Sequence, residues 1–160
     1  MVVAEGLTYE YNPKKFQVVL RRRKNKVENT DNAKLYDRWM EMWNGNLDLA
    51  NSIVDKDCVV HQAGSDGFRG PNGVVRMVQM GREPFSSIHF VLEVGPIVDD
   101  DMLCARWTSR GIYRGGIPGT KAPAGTEVEF SGIDIWRLKS GKIIEYWVSS
   151  DGLHLMAQLS

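Results

Sequence analysis

The feature that most constrains this chain is a change of hydrophobic period near Ser87. From there, four runs rich in β-branched and aromatic residues follow one another, at 88–98, 102–114, 127–138 and 142–149. Asp99-Asp100-Asp101 and Ser140-Gly141 separate two of the junctions, and connections that compact join antiparallel neighbours. Between the second and third runs, Gly115 to Gly125 forms a longer Gly/Pro-rich loop able to overhang a pocket. Upstream the period is helical. Asp31 or Asn32 is placed to cap a helix running to about Asn44, with Leu35, Tyr36, Trp39, Met40 and Trp43 on its apolar stripe and Gly45 as its stop. A short helix, Leu47 to Ile53, leads into a strand at Cys58 to His61. Gly70-Pro71 then opens a third helix with Val74, Val75, Met77 and Val78 as its buried side, ending at Gly81. One or two helical turns, Leu153 to Leu159, close the chain. Helices followed by an antiparallel sheet predict an α+β fold in which a curved sheet wraps around its helices.

One domain accounts for the size. The 160 residues carry 42% hydrophobic side chains, enough for a sizeable core, and 20 basic against 20 acidic groups. Zero net charge removes the electrostatic case for a dedicated nucleic-acid binder, so a nucleic-acid partner is not expected. The balance is uneven, however: residues 1–30 net +4 and the rest −4. Residues 1–30, with the run Arg21-Arg22-Arg23-Lys24, are therefore read as a basic extension, and 31–160 as the domain. The run serves either as a solvated tail or edge strand, or as a contact for an anionic surface. No run reaches the roughly 18 apolar residues of a membrane span, and no apolar signal segment opens the chain. A cytoplasmic location without a membrane partner is expected. Cys58 and Cys104 sit in apolar stretches without Cys-x-x-Cys spacing and are expected as buried, reduced thiols.

The candidate chemistry lies on the third β run. Strict alternation puts Val128, Phe130, Gly132, Asp134, Trp136 and Leu138 on one face. A lone carboxylate on an apolar, aromatic face loses solvation, which moves its pKa toward the range useful for taking and returning a proton. The alternative for Asp134 is a hydrogen-bonded structural carboxylate. Trp107, Ser109, Gly111 and Tyr113 share a face of the second run, which offers an aromatic wall and a phenol. Tyr36, Trp39, Trp43 and Trp147 are core residues or walls of a ligand cavity. His61 stands at the end of the first strand, and Asp151 is placed to N-cap the last helix. None of the three histidines has metal-ligand spacing, and phosphate, dinucleotide and nucleophile-elbow signatures are missing, so neither metal nor cofactor is expected.

Several segments taken in order resemble a known family. They are Gly70-Pro71-Asn72-Gly73-Val74, Ala105-Arg106-Trp107, Gly111-Ile112-Tyr113-Arg114-Gly115, Gly132-Ile133-Asp134-Ile135-Trp136-Arg137, Gly141 to Trp147, and Asp151…Leu155…Gln158-Leu159. This pattern is similar to the SnoaL-like polyketide cyclases of the nuclear transport factor 2-like superfamily. The resemblance implies a conical barrel with a cystatin-like sheet. It also implies a pocket for a small hydrophobic or polycyclic molecule, and a homodimer formed through the outer sheet face, where Ile133, Ile135 and Ile144 lie. Asp134 matches the aspartate that such cyclases use as acid/base. Tyr113 and His61 would then hold an enolate oxygen, while Tyr36, Trp39, Trp43, Trp107, Trp136, Tyr146, Trp147 and Asp151 would surround the ligand. Tyr113 and Tyr146 stand where many relatives have histidine. That departure favours the rival reading, a non-catalytic ligand-binding or pairing module on the same scaffold. The reaction implied for an enzyme is a cofactor-free intramolecular aldol closure or an isomerisation.

Overall fold

A computed structural model describes residues 26–62 and 67–160, with side chains from Asp31 onward. The stretch Phe16 to Leu20 and the basic run from Arg21 lie outside the described residues. Among those described, the order is α1 (Lys26–Trp43), a 3-10 turn (Leu47–Leu49), α2 (Ala50–Ile53), β1 (Val54–His61), α3 (Gly70–Arg82), β2 (Phe85–Asp99), β3 (Met102–Tyr113), β4 (Glu127–Lys139), β5 (Lys142–Ser150) and α4 (Gly152–Gln158). The α+β class is as expected.

Helix α1 begins at Lys26, ahead of the cap anticipated at Asp31 or Asn32, so both of those residues lie inside the helix. Its inward side is Leu35, Tyr36, Trp39 and Met42, with Met40 and Trp43 half-buried. Met42, not Met40, is therefore the fully buried methionine. The helix ends where Gly45 takes a φ of +122° and Asn46 N–H reaches back to the Glu41 carbonyl at 3.1 Å, a terminator that leaves the left-handed position to glycine. Asn44 ties this end to the sheet: its amide donates to Phe90 O and accepts from Phe90 N–H, both at 2.9 Å.

The five strands form one mixed sheet in the order β1-β5-β4-β3-β2. β1 runs parallel to β5, and the remaining pairs are antiparallel. Register shifts interrupt β2 near Phe85, Leu92 and Val94, and β4–β5 near Arg137. Such bulges bend a sheet, and here they curl it around the helices while β1 and β2 remain as edges.

Two apolar clusters fill the concave side. One lies beneath α1, α2 and α3 and includes Trp39, Met42, Ile53, Val74, Trp136 and Tyr146. The other gathers Phe85, Phe90, Trp107, Tyr113, Val128 and Leu159. Met40 and Trp43 touch both. On the convex side Val91, Ile133 and Ile135 are exposed, and Cys104 is half-buried there, whereas Cys58 is fully buried. No helix among the described residues is long and apolar enough to cross a membrane.

Candidate active site

β4 keeps the alternation its sequence announces. Val128, Gly132, Asp134, Trp136 and Leu138 are buried, while Ile133, Ile135 and Arg137 face out. Asp134 is 1% exposed, and no cation pairs with it among the described residues. Four uncharged donors hold it instead. The Tyr36 hydroxyl at 2.8 Å and the Trp39 indole N–H at 3.1 Å donate to Oδ2. The Tyr146 hydroxyl at 2.8 Å and the Trp107 indole N–H at 3.1 Å donate to Oδ1. Tyr36 and Trp39, three residues apart on α1, present both donors on one side of that helix.

Two effects oppose each other at this carboxyl. Burial disfavours its charged form, and four hydrogen bonds favour it. Burial prevails, and the Asp134 pKa is pushed up to about 6. Burial and the neighbouring carboxylate push the Tyr36 and Tyr146 phenols far above their ordinary value, so both remain protonated donors.

A glycine makes the Trp107 contact possible. Trp107 pairs with Gly132 across β3 and β4, and Ala105 pairs with Asp134. A Cβ on Gly132 would stand 2.3 Å from Trp107 Cζ2 and 2.6 Å from Ser149 O. Only a residue without a side chain lets the indole cross β4 at that height and reach Oδ1.

Beside this cluster lies a cavity of about 370 Å³, within the size range of small-molecule sites. Aromatic rings (Trp43, Phe68, Phe90, Trp107, Phe130, Tyr146) and aliphatic or thioether groups (Met77, Met80, Val148) make most of its wall. Gln62 and Ser150 supply the polar part, and none of the described lining residues carries a charge. Asp134 is not part of the lining. Of its four donors, Trp107 and Tyr146 are.

The other anticipated site residues are distributed over the fold. Trp43 is in the cavity wall. Trp136 is fully buried, stacked at 5.0 Å on Tyr36 and edge-on at 5.1 Å to Trp39, and its indole N–H has no hydrogen-bond partner among the described residues. Tyr113 is buried in the second cluster; its hydroxyl meets Thr120 Oγ1 at 2.7 Å and accepts from Ile117 N–H at 3.1 Å. That phenol anchors the loop after β3. His61 is exposed, stacks on Trp147 at 4.9 Å and lies 3.5 Å from Glu145. Trp147 belongs to the same outer group, with the Arg137 guanidinium 5.8 Å from its ring. Asp151 caps α4, accepting from His154 N–H at 3.0 Å. The geometry thus joins Tyr36, Trp39, Trp107, Tyr146 and Asp134, sets Trp43 and Trp136 against them, and leaves Tyr113, His61, Trp147 and Asp151 elsewhere.

Sequence reasoning did not name Phe68, Phe90, Met80 or Val148 as wall residues. Phe90 shares the alternation of Ile88 on β2, and Met80 lies one turn beyond Met77 on α3, so periodicity marked their faces. Gln62 and Phe68 flank the β1–α3 connection, where no period operates. Among the described residues, no group of three or more His, Cys, Asp or Glu side chains is arranged to hold a metal ion.

Comparison with known proteins gives a consistent result. The profile of the SnoaL-like polyketide cyclase family matches residues 33–159. A search of curated proteins finds no match. Among solved structures, a candidate polyketide cyclase from Bacillus cereus is 26% identical, with a TM-score of 0.67 and 85% of each chain covered. TsrD from Streptomyces laurentii is 21% identical with a TM-score of 0.70, covering 86% of this chain and 98% of that one. A SnoaL-like polyketide cyclase from Agrobacterium tumefaciens is 19% identical with a TM-score of 0.67, covering 81% and 98%. The last two, at that identity, speak for the fold alone.

Proposed function

Because the chain belongs to the SnoaL-like polyketide cyclase family, we propose that it binds a neutral, flat, mostly apolar small molecule in the cavity and moves a proton on it without a cofactor. Asp134 is the proton store. The observation that carries this reading is a buried carboxyl, held by four neutral donors, two of which are also cavity wall. A carboxyl pushed up to about 6 both gains and loses a proton near neutral pH.

In an intramolecular aldol closure the base takes the proton alpha to a carbonyl, and the C–H electron pair becomes the enolate. The enolate carbon attacks a second carbonyl of the same molecule, and the stored proton returns to the new alkoxide. Isomerisation uses the same first step and returns the proton to another carbon. A rigid aromatic wall adds the folding of the substrate that brings its two ends together.

Thermal-shift and mass-spectrometric screening against neutral aromatic polyketide-like, steroid-like and β-keto compounds tests the proposal, with Asp134→Asn in parallel. A compound that stabilises both proteins and is chemically altered only by the wild type supports it. Binding without turnover by either protein removes catalysis and leaves the second reading, a binding or pairing module. That second reading draws on the completeness of the hydrogen bonding around Asp134, which also suits a structural carboxylate. A homodimer through the outer face accompanies either reading, the exposed Ile133 and Ile135 being its apolar contribution.

A further inference from the structure

The two oxygens of Asp134 are not equivalent. Both donors to Oδ2, Tyr36 and Trp39, come from α1 and are fully buried in the core. Both donors to Oδ1, Trp107 and Tyr146, come from rings that line the cavity. The carboxyl itself is absent from the lining. Of the side chains bonded to the carboxyl, the two that reach the cavity wall are thus both on the Oδ1 side. An indole N–H is a donor without an acceptor lone pair, so Trp107 cannot take a proton from one side while giving one to the other. A phenol hydroxyl can do both.

We propose that Tyr146 is the group that meets the occupant of the cavity, and that it relays the proton between that occupant and Asp134 Oδ1. The inference rests on the acid/base reading of the site and refines it. In the forward step the substrate C–H bond breaks and its electron pair passes to the carbonyl oxygen as an enolate. The released proton binds Tyr146 Oη as the Tyr146 O–H proton passes along the 2.8 Å hydrogen bond to Oδ1. Tyr146 ends the step neutral, Asp134 ends it protonated, and the reverse sequence returns both. Moving the two protons together avoids a free tyrosinate, which this buried, carboxylate-flanked phenol disfavours. Asp134 is then a positioning and proton-holding residue that acts through Tyr146. The described lining residues, none of them charged, suit a neutral ketone.

The test uses the full chain and β-tetralone, a neutral bicyclic ketone with acidic alpha hydrogens, carrying a tritium trace at the alpha carbon. Release of tritium to solvent is counted in H2O and in D2O, and binding is followed by quenching of tryptophan fluorescence. A relay moves a solvent-exchangeable O–H proton in the same step as alpha C–H cleavage, so tritium release by the wild type shows a normal solvent isotope effect of about two, against about one for direct abstraction. Tyr146→Phe and Asp134→Asn still bind the ketone but each lose about 100-fold or more in exchange, and the double variant loses no more than either. Circular dichroism establishes that the variants are folded, and the isotope effect needs no variant.

A Tyr146→Phe protein that exchanges at nearly the wild-type rate while Asp134→Asn does not would overturn the relay, as would a solvent isotope effect near one. Either result leaves the proposed function intact with Asp134 acting directly. If wild-type protein binds the ketone but exchanges it no faster than buffer, or if the ketone is not bound, the acid/base reading fails and the relay with it.

Discussion

Replacing Gly132 with alanine probes the packing that brings Trp107 to the carboxyl. The new Cβ would lie 2.3 Å from Trp107 Cζ2, 2.7 Å from Cε2 and 2.6 Å from Ser149 O. The indole cannot stay. Overpacking of this kind costs about 1–3 kcal/mol, and loss of the indole bond to a buried carboxylate about 1.5–3 kcal/mol more. A total of about 2.5–6 kcal/mol follows, read as a lowered urea midpoint at constant slope. A site-specific consequence accompanies it. The Trp107 bond favours the charged carboxyl, so its loss moves the Asp134 titration upward from about 6, which carboxyl carbon NMR follows. Placing the same alanine in a Trp107→Phe background removes the fused ring from the clash but keeps the Ser149 carbonyl in the way. The cost there falls by about 1–2 kcal/mol without vanishing. A destabilisation under about 1 kcal/mol, or an unmoved Asp134 titration, would refute the packing argument.

Stability should also depend on pH through Asp134. Its carboxyl titrates at about 6 when folded, against an ordinary value near 3.8, so its contribution is fully present below pH 4 and is lost as pH rises through 6. The loss amounts to about 3 kcal/mol. Urea midpoints from pH 4 to 8 should fall across that window in the wild type and lose that component in Asp134→Asn. Asp151→Ala removes the cap of α4 and costs about 1 kcal/mol, and ligand-induced thermal shifts should stay unchanged if Asp151 is a cap and nothing more. Ile133→Glu with Ile135→Glu puts charge on the outer sheet face. Sedimentation should show the wild type at twice 18.1 kDa and this variant as the monomer; a wild type that is monomeric at micromolar concentration removes the dimer.

Periodicity carried most of the fold. The alternation of β4 identified the buried face and put Asp134 on it, and the stripe on α1 identified Tyr36 and Trp39 as inward residues. Neither pattern said that these residues meet: Tyr36 and Asp134 are 98 positions apart, and their hydrogen bond exists because the curved sheet presents β4 to α1. Trp147 and Tyr113 show the converse. Trp147 follows the inward Tyr146 on a strand of alternating faces, so it points outward beside His61. Tyr113 does share the inward face of β3 with Trp107, as alternation says, but six residues of strand carry it roughly 20 Å along the sheet, to where its hydroxyl holds Thr120 and Ile117. A face is legible in one sequence, whereas a position along that face depends on the sheet's curvature. The start of α1 was missed for a related reason, since no strong stop precedes Lys26 and Asp31 is an acceptable helix residue.

The Oδ2 half of the carboxyl has a mechanical meaning. Tyr36 and Trp39 fasten α1 to β4 at a point whose strength varies with the charge on one side chain. An ionised Asp134 grips both donors with charge-assisted bonds, and a protonated one holds them about half as firmly. The seating of the first helix and the proton inventory of the sheet are thus one thermodynamic variable. Whatever changes the proton on this aspartate from the cavity side also loosens or tightens a helix on the far side of it.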